Sequence, residues 1–357
     1  MKKLNLTLLF LLTAAYQLVA QTVVDFKNPN IHYAGRVVMR NDGAELSWTA
    51  SSVVINFNGT GAKASFTDDT GFDFITVVVD NKVVNTLQLG TTQKEYTLVS
   101  GLTAGRHKLE VFKRTEYDMG KFRFHQFTLN GNGRILPPPA YKHTMEFYGN
   151  SITCGYAIED PLRQDRGTYD FVNSYKSYAN ITARHFNADY RSISKSGIGI
   201  LISWFPYVMP DIYDRTQAMD STAKWDFSRF TPEVVVVNLF QNDSWLTQKP
   251  EHEQFKARFG TTPPTPDFII KGYQKFITSI RSKYPKAKII CALGSMDATR
   301  EGSPWPGYIE KAVAGLKDKG IYTHFFPYKN TPGHPSAAEQ KVMADDLIGF
   351  IEKKMKW

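Results

Sequence analysis

Three consecutive prolines, Pro137–Pro139, divide the sequence into two parts that have different hydrophobic periods. A run of prolines stiffens the backbone, so we interpret it as a linker between two domains. Before the linker, short segments rich in Val, Ile, Thr and aromatic residues alternate with Gly, Asn and Asp, and no helical period occurs. Residues 22–136 are therefore predicted to form an all-β sandwich of the jelly-roll type.

After the linker, apolar segments of strand length alternate with segments of helical period. Strands rich in Val and Ile that are separated by helices form a parallel sheet with helices on both faces. Residues 140–357 are therefore predicted to form a three-layer αβα domain of the flavodoxin-like type with a five-stranded parallel sheet. The five strand-like segments are 144–148, 190–194, 233–240, 288–294 and 321–326.

Two helices of this second part have recognisable first turns. Thr265 can cap a helix that has Pro266 at its first position, and Ser336 with Glu339 forms a capping box. Each helix is predicted to bury one apolar face. The buried residues are expected to be Phe268, Ile269, Phe276, Ile277, Ile280 and Tyr284 in the first helix, and Val342, Met343, Leu347, Phe350 and Ile351 in the second.

The first twenty residues have the pattern of a secretory signal peptide. Lys2 and Lys3 precede an apolar stretch that is too short to span a bilayer, and Ala20 stands before a cleavage point at Gln21. Residues 1–20 are therefore excluded from the predicted fold. No later segment reaches the roughly 18 unbroken apolar residues of a membrane span. We expect a secreted or periplasmic protein without a membrane span.

Charge and cysteine content exclude several classes of partner. The net charge is +9, but the basic residues are dispersed and form no stripe interleaved with aromatic residues, which argues against a nucleic-acid partner. The sequence contains two cysteines, Cys154 and Cys291, which we interpret as buried small side chains, although export permits a disulfide. No paired Cys and His spacing typical of a metal site occurs, so no metal is expected.

Four candidate site residues follow the predicted parallel strands or precede the last helix. Ser151 lies in "GNSI", Gly197 in "SGIGI", Asn242 after "VVVVNLF", and His334 in "NTPGHPSAAE". Taken singly, they could be a helix cap, a turn residue, a loop cap and a surface residue. Because ligands of such sheets bind outside the carboxyl ends of the strands, their joint order favours an active site.

These residue types fit acyl transfer. A serine hydroxyl needs a base to become a nucleophile, and histidine is the usual base because its unperturbed pKa is near neutrality. The transition state also needs hydrogen-bond donors for a developing oxyanion. The backbone N–H of Ser151, the backbone N–H of Gly197 and the side-chain amide of Asn242 are the candidates. The reaction requires no cofactor.

The same residues resemble the signature blocks of a known superfamily. Residues 149–153, Gly197, Asn242 with Asp243, and His334 with Pro335 resemble the four blocks of the SGNH (GDSL-type) hydrolases. The stretches "YAGRVV", "INFNGTG", "HKLEVFKRTE", "MEFYGNSITCGYA" and "WDFSRFTPEVVVVN" resemble carbohydrate esterase family two. In that family, a jelly-roll domain precedes an SGNH domain that removes acetyl groups from sugar hydroxyls of plant polysaccharides.

The resemblance implies a role for each site residue. Ser151 would be the nucleophile and His334 the base, and Ser151, Gly197 and Asn242 would donate to the oxyanion. An acetylated plant-type polysaccharide or oligosaccharide would be the substrate.

The sequence departs from the family pattern at three places. Asn150 replaces the usual Asp, with an expected effect on turn hydrogen bonding alone. Phe240 replaces a usual Gly and is expected to narrow the cleft. Thr331 and Pro332 stand where related enzymes carry the Asp that orients the histidine. Either a backbone carbonyl orients His334, as in some family members, or the ring is poorly oriented and turnover falls. We favour the carbonyl and a Ser–His dyad.

Substrate recognition is indicated by aromatic residues. Trp204, Trp245 and Trp305 are each predicted to lie on a loop near a strand's carboxyl end, where a flat ring can stack on a pyranose. With Phe240, they are the candidate substrate-binding residues, although each could instead be a core residue. The short polar loops include no apolar trough for a fatty acyl chain.

These observations lead to three hypotheses. The first is a serine esterase that removes O-acetyl or similar small acyl groups from polysaccharide or oligosaccharide hydroxyls through an acyl-enzyme at Ser151. The second is a carbohydrate-binding protein whose site is weakly active or inactive. The third is a lipase or thioesterase of the same superfamily.

Overall fold

The computed structural model describes residues 21–130 and 132–357. The predicted signal peptide, residues 1–20, lies outside the described residues. Within the described ranges, no helix combines the length and the apolar character that crossing a membrane requires.

Residues 22–136 form two antiparallel sheets whose inner faces pack into one core. The strands are β1 (Thr22–Asp25), β2 (His32–Ala34), β3 (Val38–Met39), β4 (Ala44–Leu46), β5 (Ser52–Gly59), β6 (Ala62–Asp68), β7 (Phe74–Val79), β8 (Lys82–Gln88), β9 (Lys94–Val99), β10 (Gly105–Lys113), β11 (Phe122–Leu129) and β12 (Arg134–Leu136). The first sheet has the order β3-β4-β11-β6-β9 with β1 beside β11, and the second has the order β12-β5-β10-β7-β8 with β2 beside β5. The predicted jelly-roll sandwich is confirmed.

The second part contains a parallel sheet with strand order β14-β13-β15-β16-β17. Numbered from the first of these strands, the order is 2-1-3-4-5, which is that of flavodoxin-like folds. The predicted five-stranded parallel sheet is therefore confirmed. Its strands are β13 (His143–Gly149), β14 (Ala188–Ser194), β15 (Val234–Asn238), β16 (Lys288–Leu293) and β17 (Ile321–Phe325).

Helices cover both faces of this sheet. Val235 and Val237 of β15 belong to one core cluster, and Val234 and Val236 belong to the other, as expected for a strand that is buried on both faces. The helices are α1 (Ser151–Cys154), α2 (Tyr178–His185), α3 (Met209–Ile212), α4 (Gln241–Leu246), α5 (Glu253–Phe259), α6 (Pro266–Lys283), α7 (Trp305–Leu316) and α8 (Ala337–Met355), with short 3₁₀ turns at Ser174–Lys176, Phe227–Arg229 and Asp297–Thr299. Residues of α6 and α7 pack in the first cluster, and residues of α2 and α8 pack in the second.

Both predicted helix starts are confirmed. The hydroxyl of Thr265 accepts the N–H of Phe268, and Ser336 with Glu339 forms the capping box of α8. The predicted faces are wrong at two positions, because Phe268 is 51% exposed and Val342 is 63% exposed. In α8 the buried face is centred on residues such as Met343 and Leu347, and successive helix positions differ by about 100°, so Val342 points outward.

The two cysteines carry free thiols, and both are buried. Burial raises the pKa of each thiol, that of Cys291 to about 12, so both thiols stay protonated at neutral pH. The interpretation of Cys154 and Cys291 as small buried side chains is confirmed.

A buried arginine connects the sandwich to the parallel sheet. Arg36 follows β2, and its guanidinium donates to the carbonyl oxygens of Tyr213 at 2.6 Å and Arg215 at 2.8 Å. It also lies 3.2 Å from the carboxylate of Glu146 and 3.2 Å from the hydroxyl of Tyr148, both on β13. The cation therefore compensates a buried carboxylate on the strand that leads to Ser151.

We predict that Arg36→Met lowers the free energy of unfolding by about 3–5 kcal/mol, because the buried carboxylate of Glu146 loses its ion pair with Arg36. Urea denaturation measures the loss. The control is Lys341→Met, which removes an exposed pair with Asp345 and should cost less than about 0.5 kcal/mol. Equal losses in the two variants would show that Arg36 has no special role.

Candidate active site

The nucleophile candidate stands on a tight turn at the end of β13. The side chain of Asn150 accepts the N–H of Ile152 at 3.0 Å and caps α1, whose first residue is Ser151. A Cβ at position 149 would lie 2.0 Å from the hydroxyl oxygen of Thr153, so the turn requires glycine there. Asn150 therefore supplies the turn hydrogen bond in place of the usual Asp.

His334 contacts Ser151 directly. The Nε2 atom of His334 lies 2.7 Å from the Oγ atom of Ser151. His334 reaches this position from the loop between β17 and α8, and its ring packs against that of Tyr156 at 4.6 Å between centroids. The two residues are separated by 183 positions in the sequence, and the fold brings them within hydrogen-bonding distance.

A carboxylate orients the histidine ring. The Nδ1 atom of His334 lies 2.8 Å and 2.9 Å from the two oxygens of Asp165, and the backbone N–H of His334 donates to the same carboxylate at 2.8 Å. A carboxylate accepts only, so Nδ1 carries the proton and Nε2 is free to accept the Ser151 hydroxyl. The expectation that a backbone carbonyl orients the ring is wrong, because a distant loop supplies the acid.

Burial and the contact with His334 act on Asp165 in opposite directions. Burial raises the pKa of this carboxyl, and the hydrogen bonds that it accepts from His334 lower it. The net pKa lies below its usual value, which keeps Asp165 ionised at neutral pH.

The loop that carries Asp165 is held by another aspartate. The buried carboxylate of Asp160 accepts the backbone N–H groups of Leu162 at 3.1 Å, Gln164 at 3.0 Å and Arg166 at 3.1 Å. Asp165 itself has a φ of 60°, a left-handed conformation that local hydrogen bonding must support. The loop is therefore preorganised to present its carboxylate to His334.

Two backbone N–H groups that the sequence predicts as oxyanion donors make no hydrogen bond to the described residues. Neither the N–H of Ser151 nor that of Gly197 has a hydrogen-bond acceptor within residues 21–130 and 132–357. Gly197 has a φ of +80°, and a Cβ at this position would lie 3.1 Å from the ring of Phe205 and 3.3 Å from that of Trp204. Both geometry and space therefore favour glycine.

The side-chain amide of Asn242 is fixed by two contacts. Its Nδ2 atom donates to the carbonyl oxygen of Ile198 at 2.8 Å, and its Oδ1 atom accepts the indole N–H of Trp204 at 3.0 Å. These contacts connect α4 to the loop that contains Gly197. Trp204 is 40% exposed, so its ring is accessible beside Asn242.

Asp243 also holds the loop that contains Gly197. Its buried carboxylate accepts the N–H groups of Ile200 at 3.0 Å, Leu201 at 2.6 Å and Ile202 at 3.2 Å. Burial raises the pKa of Asp243 to about 6, and the three amides offset part of that increase. The resemblance to the SGNH blocks included Asp243, but its three amide partners could not be predicted from the sequence.

The four aromatic candidates for substrate binding differ in their exposure to solvent. The prediction for Phe240 is wrong, because its ring is fully buried against the rings of Tyr273 and Trp305. Trp305 begins α7 instead of lying on a loop, and it is 5% exposed on the lining of a cavity that Trp245 also lines. Phe240 has a φ of 83°, and its ring packs into the core beneath the site. Trp245 is half-buried, and its indole N–H donates to Asp297 at 2.9 Å.

A cavity of about 490 Å³ lies beside Trp245. Neither Ser151 nor His334 lines it, so it is separate from the contact between these two residues. Its polar lining includes Gln248, Arg300 and Glu301.

The geometry provides the parts of an acyl-transfer site. A hydroxyl is hydrogen-bonded to an imidazole, the imidazole is hydrogen-bonded to a carboxylate, and the N–H of the serine itself has no acceptor among the described residues. Among the described residues, no group of three or more His, Cys, Asp or Glu side chains is arranged to hold a metal ion.

Both parts of the chain match known families. Residues 33–139 match the family described as Carbohydrate esterase 2 N-terminal, and residues 147–340 match the GDSL-like Lipase/Acylhydrolase family. A solved family two carbohydrate esterase from Clostridium thermocellum, in complex with cellohexaose, is 32% identical, with a TM-score of 0.81. The match covers 92% of this chain and 99% of that chain.

Two curated relatives also align over most of the chain. Cellulase/esterase CelE of Acetivibrio thermocellus is 32% identical over 93% of this chain, which spans 40% of that relative's length. An acetylxylan esterase / glucomannan deacetylase of Cellvibrio japonicus is 26% identical over 91% of each chain. The chain therefore belongs to the GDSL-like lipase and acylhydrolase family and, within it, to the family two carbohydrate esterases. The resemblance identified from the sequence is confirmed.

We predict a pH dependence of stability from Asp243. Its folded pKa of about 6 exceeds the value near 4 of an unfolded aspartate, so the folded state binds more protons between these values. The free energy of unfolding should therefore fall as pH rises from about 4 to about 6, by up to about 3 kcal/mol.

Urea denaturation at several pH values compares the wild type with Asp243→Asn, in which the decline should be smaller by the Asp243 contribution. Some decline should remain, because burial also raises the pKa of Asp73 to about 6. Asp345→Asn, on the exposed surface of α8, is the control and should keep the wild-type profile. Parallel profiles for the wild type and Asp243→Asn would contradict the prediction.

Proposed function

We propose that the protein is a serine esterase that removes acetyl or similarly small acyl groups from hydroxyls of polysaccharides or oligosaccharides. The observation that carries the proposal is the chain of hydrogen bonds from Asp165 through His334 to Ser151. Membership of the family two carbohydrate esterases supports the class of reaction.

In the first step, the Oγ atom of Ser151 attacks the carbonyl carbon of the ester. Nε2 of His334 accepts the hydroxyl proton as the new C–O bond forms, and the carboxylate of Asp165 stabilises the resulting imidazolium. The orientation of the ring is already set in the free protein, so no rearrangement of His334 is needed for the attack.

The carbonyl oxygen becomes an oxyanion in the tetrahedral intermediate. The N–H groups of Ser151 and Gly197 and the amide of Asn242 are the proposed donors, and each such donor typically lowers the barrier by roughly 3–4 kcal/mol. The imidazolium of His334 then protonates the departing sugar oxygen, which leaves as a free hydroxyl. Water, deprotonated by the same histidine, hydrolyses the acyl-enzyme and releases the acid.

An acetylated plant-type polysaccharide or oligosaccharide is the proposed substrate. The Cellvibrio japonicus relative is named an acetylxylan esterase / glucomannan deacetylase, and the solved Clostridium thermocellum relative holds cellohexaose. Trp204 offers an exposed ring beside Asn242, and we propose that it stacks on a sugar. Trp245, beside the separate cavity, is a second candidate for sugar contact.

We also propose that residues 22–136 and 140–357 are separate domains joined by Pro137–Pro139. The change from antiparallel to parallel pairing between β12 and β13 supports this division. The pattern of residues 1–20 supports export of the protein to the periplasm or the medium.

We predict that Ser151→Ala lowers acetate release from acetylated xylan by at least about 10⁴-fold, because no other group replaces the nucleophile. The control is Ser279→Ala, whose hydroxyl lies on the exposed side of α6 and donates to the carbonyl of Lys275. Wild-type rates in Ser151→Ala would refute the mechanism. Glycan binding without acetate release would support the carbohydrate-binding alternative, and a preference for long acyl esters would support a lipase.

We predict that Asp165→Asn lowers kcat for 4-nitrophenyl acetate by up to roughly 10⁴-fold with little change in KM, because the tautomer and charge of His334 are no longer supported. Asp170→Asn is the control, since Asp170 is exposed in the same segment of the chain. Unchanged kcat in Asp165→Asn would mean that Ser151 and His334 act as a dyad.

A further inference from the structure

A loop of the sandwich reaches the parallel-sheet part beside the proposed oxyanion donors. Residues 114–121 connect β10 to β11, and Glu116 in this loop is 1% exposed. Its Oε2 atom accepts the backbone N–H of Ser196 at 2.7 Å, and its Oε1 atom accepts the hydroxyl of the same serine. One carboxylate of the sandwich therefore holds the residue directly before Gly197.

The neighbours of Glu116 contact the same region. The carboxylate of Asp118 accepts a hydrogen bond from the ammonium of Lys195 at 2.5 Å. The hydroxyl of Tyr117 lies 2.5 Å from that of Tyr207. Glu116, Tyr117 and Asp118 thus contact residues that follow β14 rather than the sandwich core. Glu116 is the one among them that contacts the backbone next to Gly197.

The contact between Glu116 and Ser196 affects the direction of the Gly197 N–H. That N–H belongs to the peptide unit between Ser196 and Gly197, so its direction depends on how Ser196 is held. Gly197 has a φ of +80°, and its flexible backbone does not restrict the direction of the N–H by itself. Glu116 constrains Ser196 at both the backbone and the side chain.

We propose that Glu116 is a positioning residue of the active site: by holding Ser196, it aims the Gly197 N–H at the oxyanion. The sandwich then contributes directly to transition-state stabilisation. This inference rests on the proposed esterase function and deepens it.

A carboxylate is suited to this role, because both hydrogen bonds from Ser196 require an acceptor. A glutamine at 116 has one acceptor oxygen, and its NH₂ group cannot accept the second hydrogen bond. The hydroxyl of Ser196 would therefore have to turn and accept from that NH₂ group. Glu116→Gln therefore keeps the size of the side chain while disturbing the contact.

The test compares Glu116→Gln with the wild type in 4-nitrophenyl acetate hydrolysis. Loss of one oxyanion donor costs about 10²–10³ in kcat, so its misplacement should lower kcat roughly tenfold to a hundredfold with KM nearly unchanged. The affinity for phenylboronic acid, which forms a tetrahedral anion on a serine, should fall by a similar factor.

Glu45→Gln is the matched control. Glu45 is also a buried carboxylate of the sandwich that accepts a hydrogen bond from the second part of the chain, but its partner there is Gln217. This variant should keep the wild-type kcat. Ser196→Ala is the second variant. It removes the hydroxyl and keeps the backbone N–H, so we expect a smaller loss of kcat, again without a change in KM.

Three outcomes would overturn the inference: wild-type kcat in both Glu116→Gln and Ser196→Ala, a loss that lies in KM, or equal losses in Glu116→Gln and Glu45→Gln. Failure of the proposed function is distinguishable, because the wild type would then show no hydrolysis that depends on Ser151. Hydrolysis that needs Ser151 but not Glu116 would remove this inference alone.

Discussion

All five strands of the central sheet run parallel, so their carboxyl ends meet at one edge, and the site depends on this constraint. β13, which leads to Ser151, lies between β14 and β15, which lead to Gly197 and Asn242. The nucleophile candidate is therefore flanked by the two loops that carry the proposed oxyanion donors. These loops meet where the amide of Asn242 donates to Ile198 at 2.8 Å. β17 brings His334 to the same edge.

The fold and most of the site could be predicted because their signals are local. Strand length, apolar content and helix caps are written in neighbouring residues, and Ser151, Gly197, Asn242 and His334 each follow or precede such an element. Side-chain direction in loops is a different matter. Phe240 lies between β15 and α4, yet its left-handed backbone and the surrounding core bury its ring. Packing partners from distant elements decide that outcome, so sequence alone did not predict it.

The contacts of Asp165 and Glu116 could not be predicted from the sequence either, because the partners are far apart along the chain. Asp165 lies 169 positions from His334, and Glu116 lies 80 positions from Ser196. Sequence spacing cannot predict such pairs, because each contact depends on the paths of two loops. The path of the Asp165 loop, for example, depends on the hydrogen bonds of the Asp160 carboxylate. In both contacts a carboxylate holds another residue: Asp165 contacts the ring of His334, and Glu116 holds Ser196 beside Gly197. The family pattern places an Asp just before the histidine in sequence, whereas here Asp165, from the loop after α1, contacts His334. The loop after β14 is held by Glu116 of the sandwich.

The most direct measurement of the central claim is mass-spectrometric peptide mapping of the protein quenched in acid during turnover of an acetyl ester. The account predicts one acetyl group on the peptide that contains Ser151, formed and lost at rates consistent with turnover. Acetate release with no acylated Ser151, or with the acetyl group on another residue that turns over at the same rate, would contradict it.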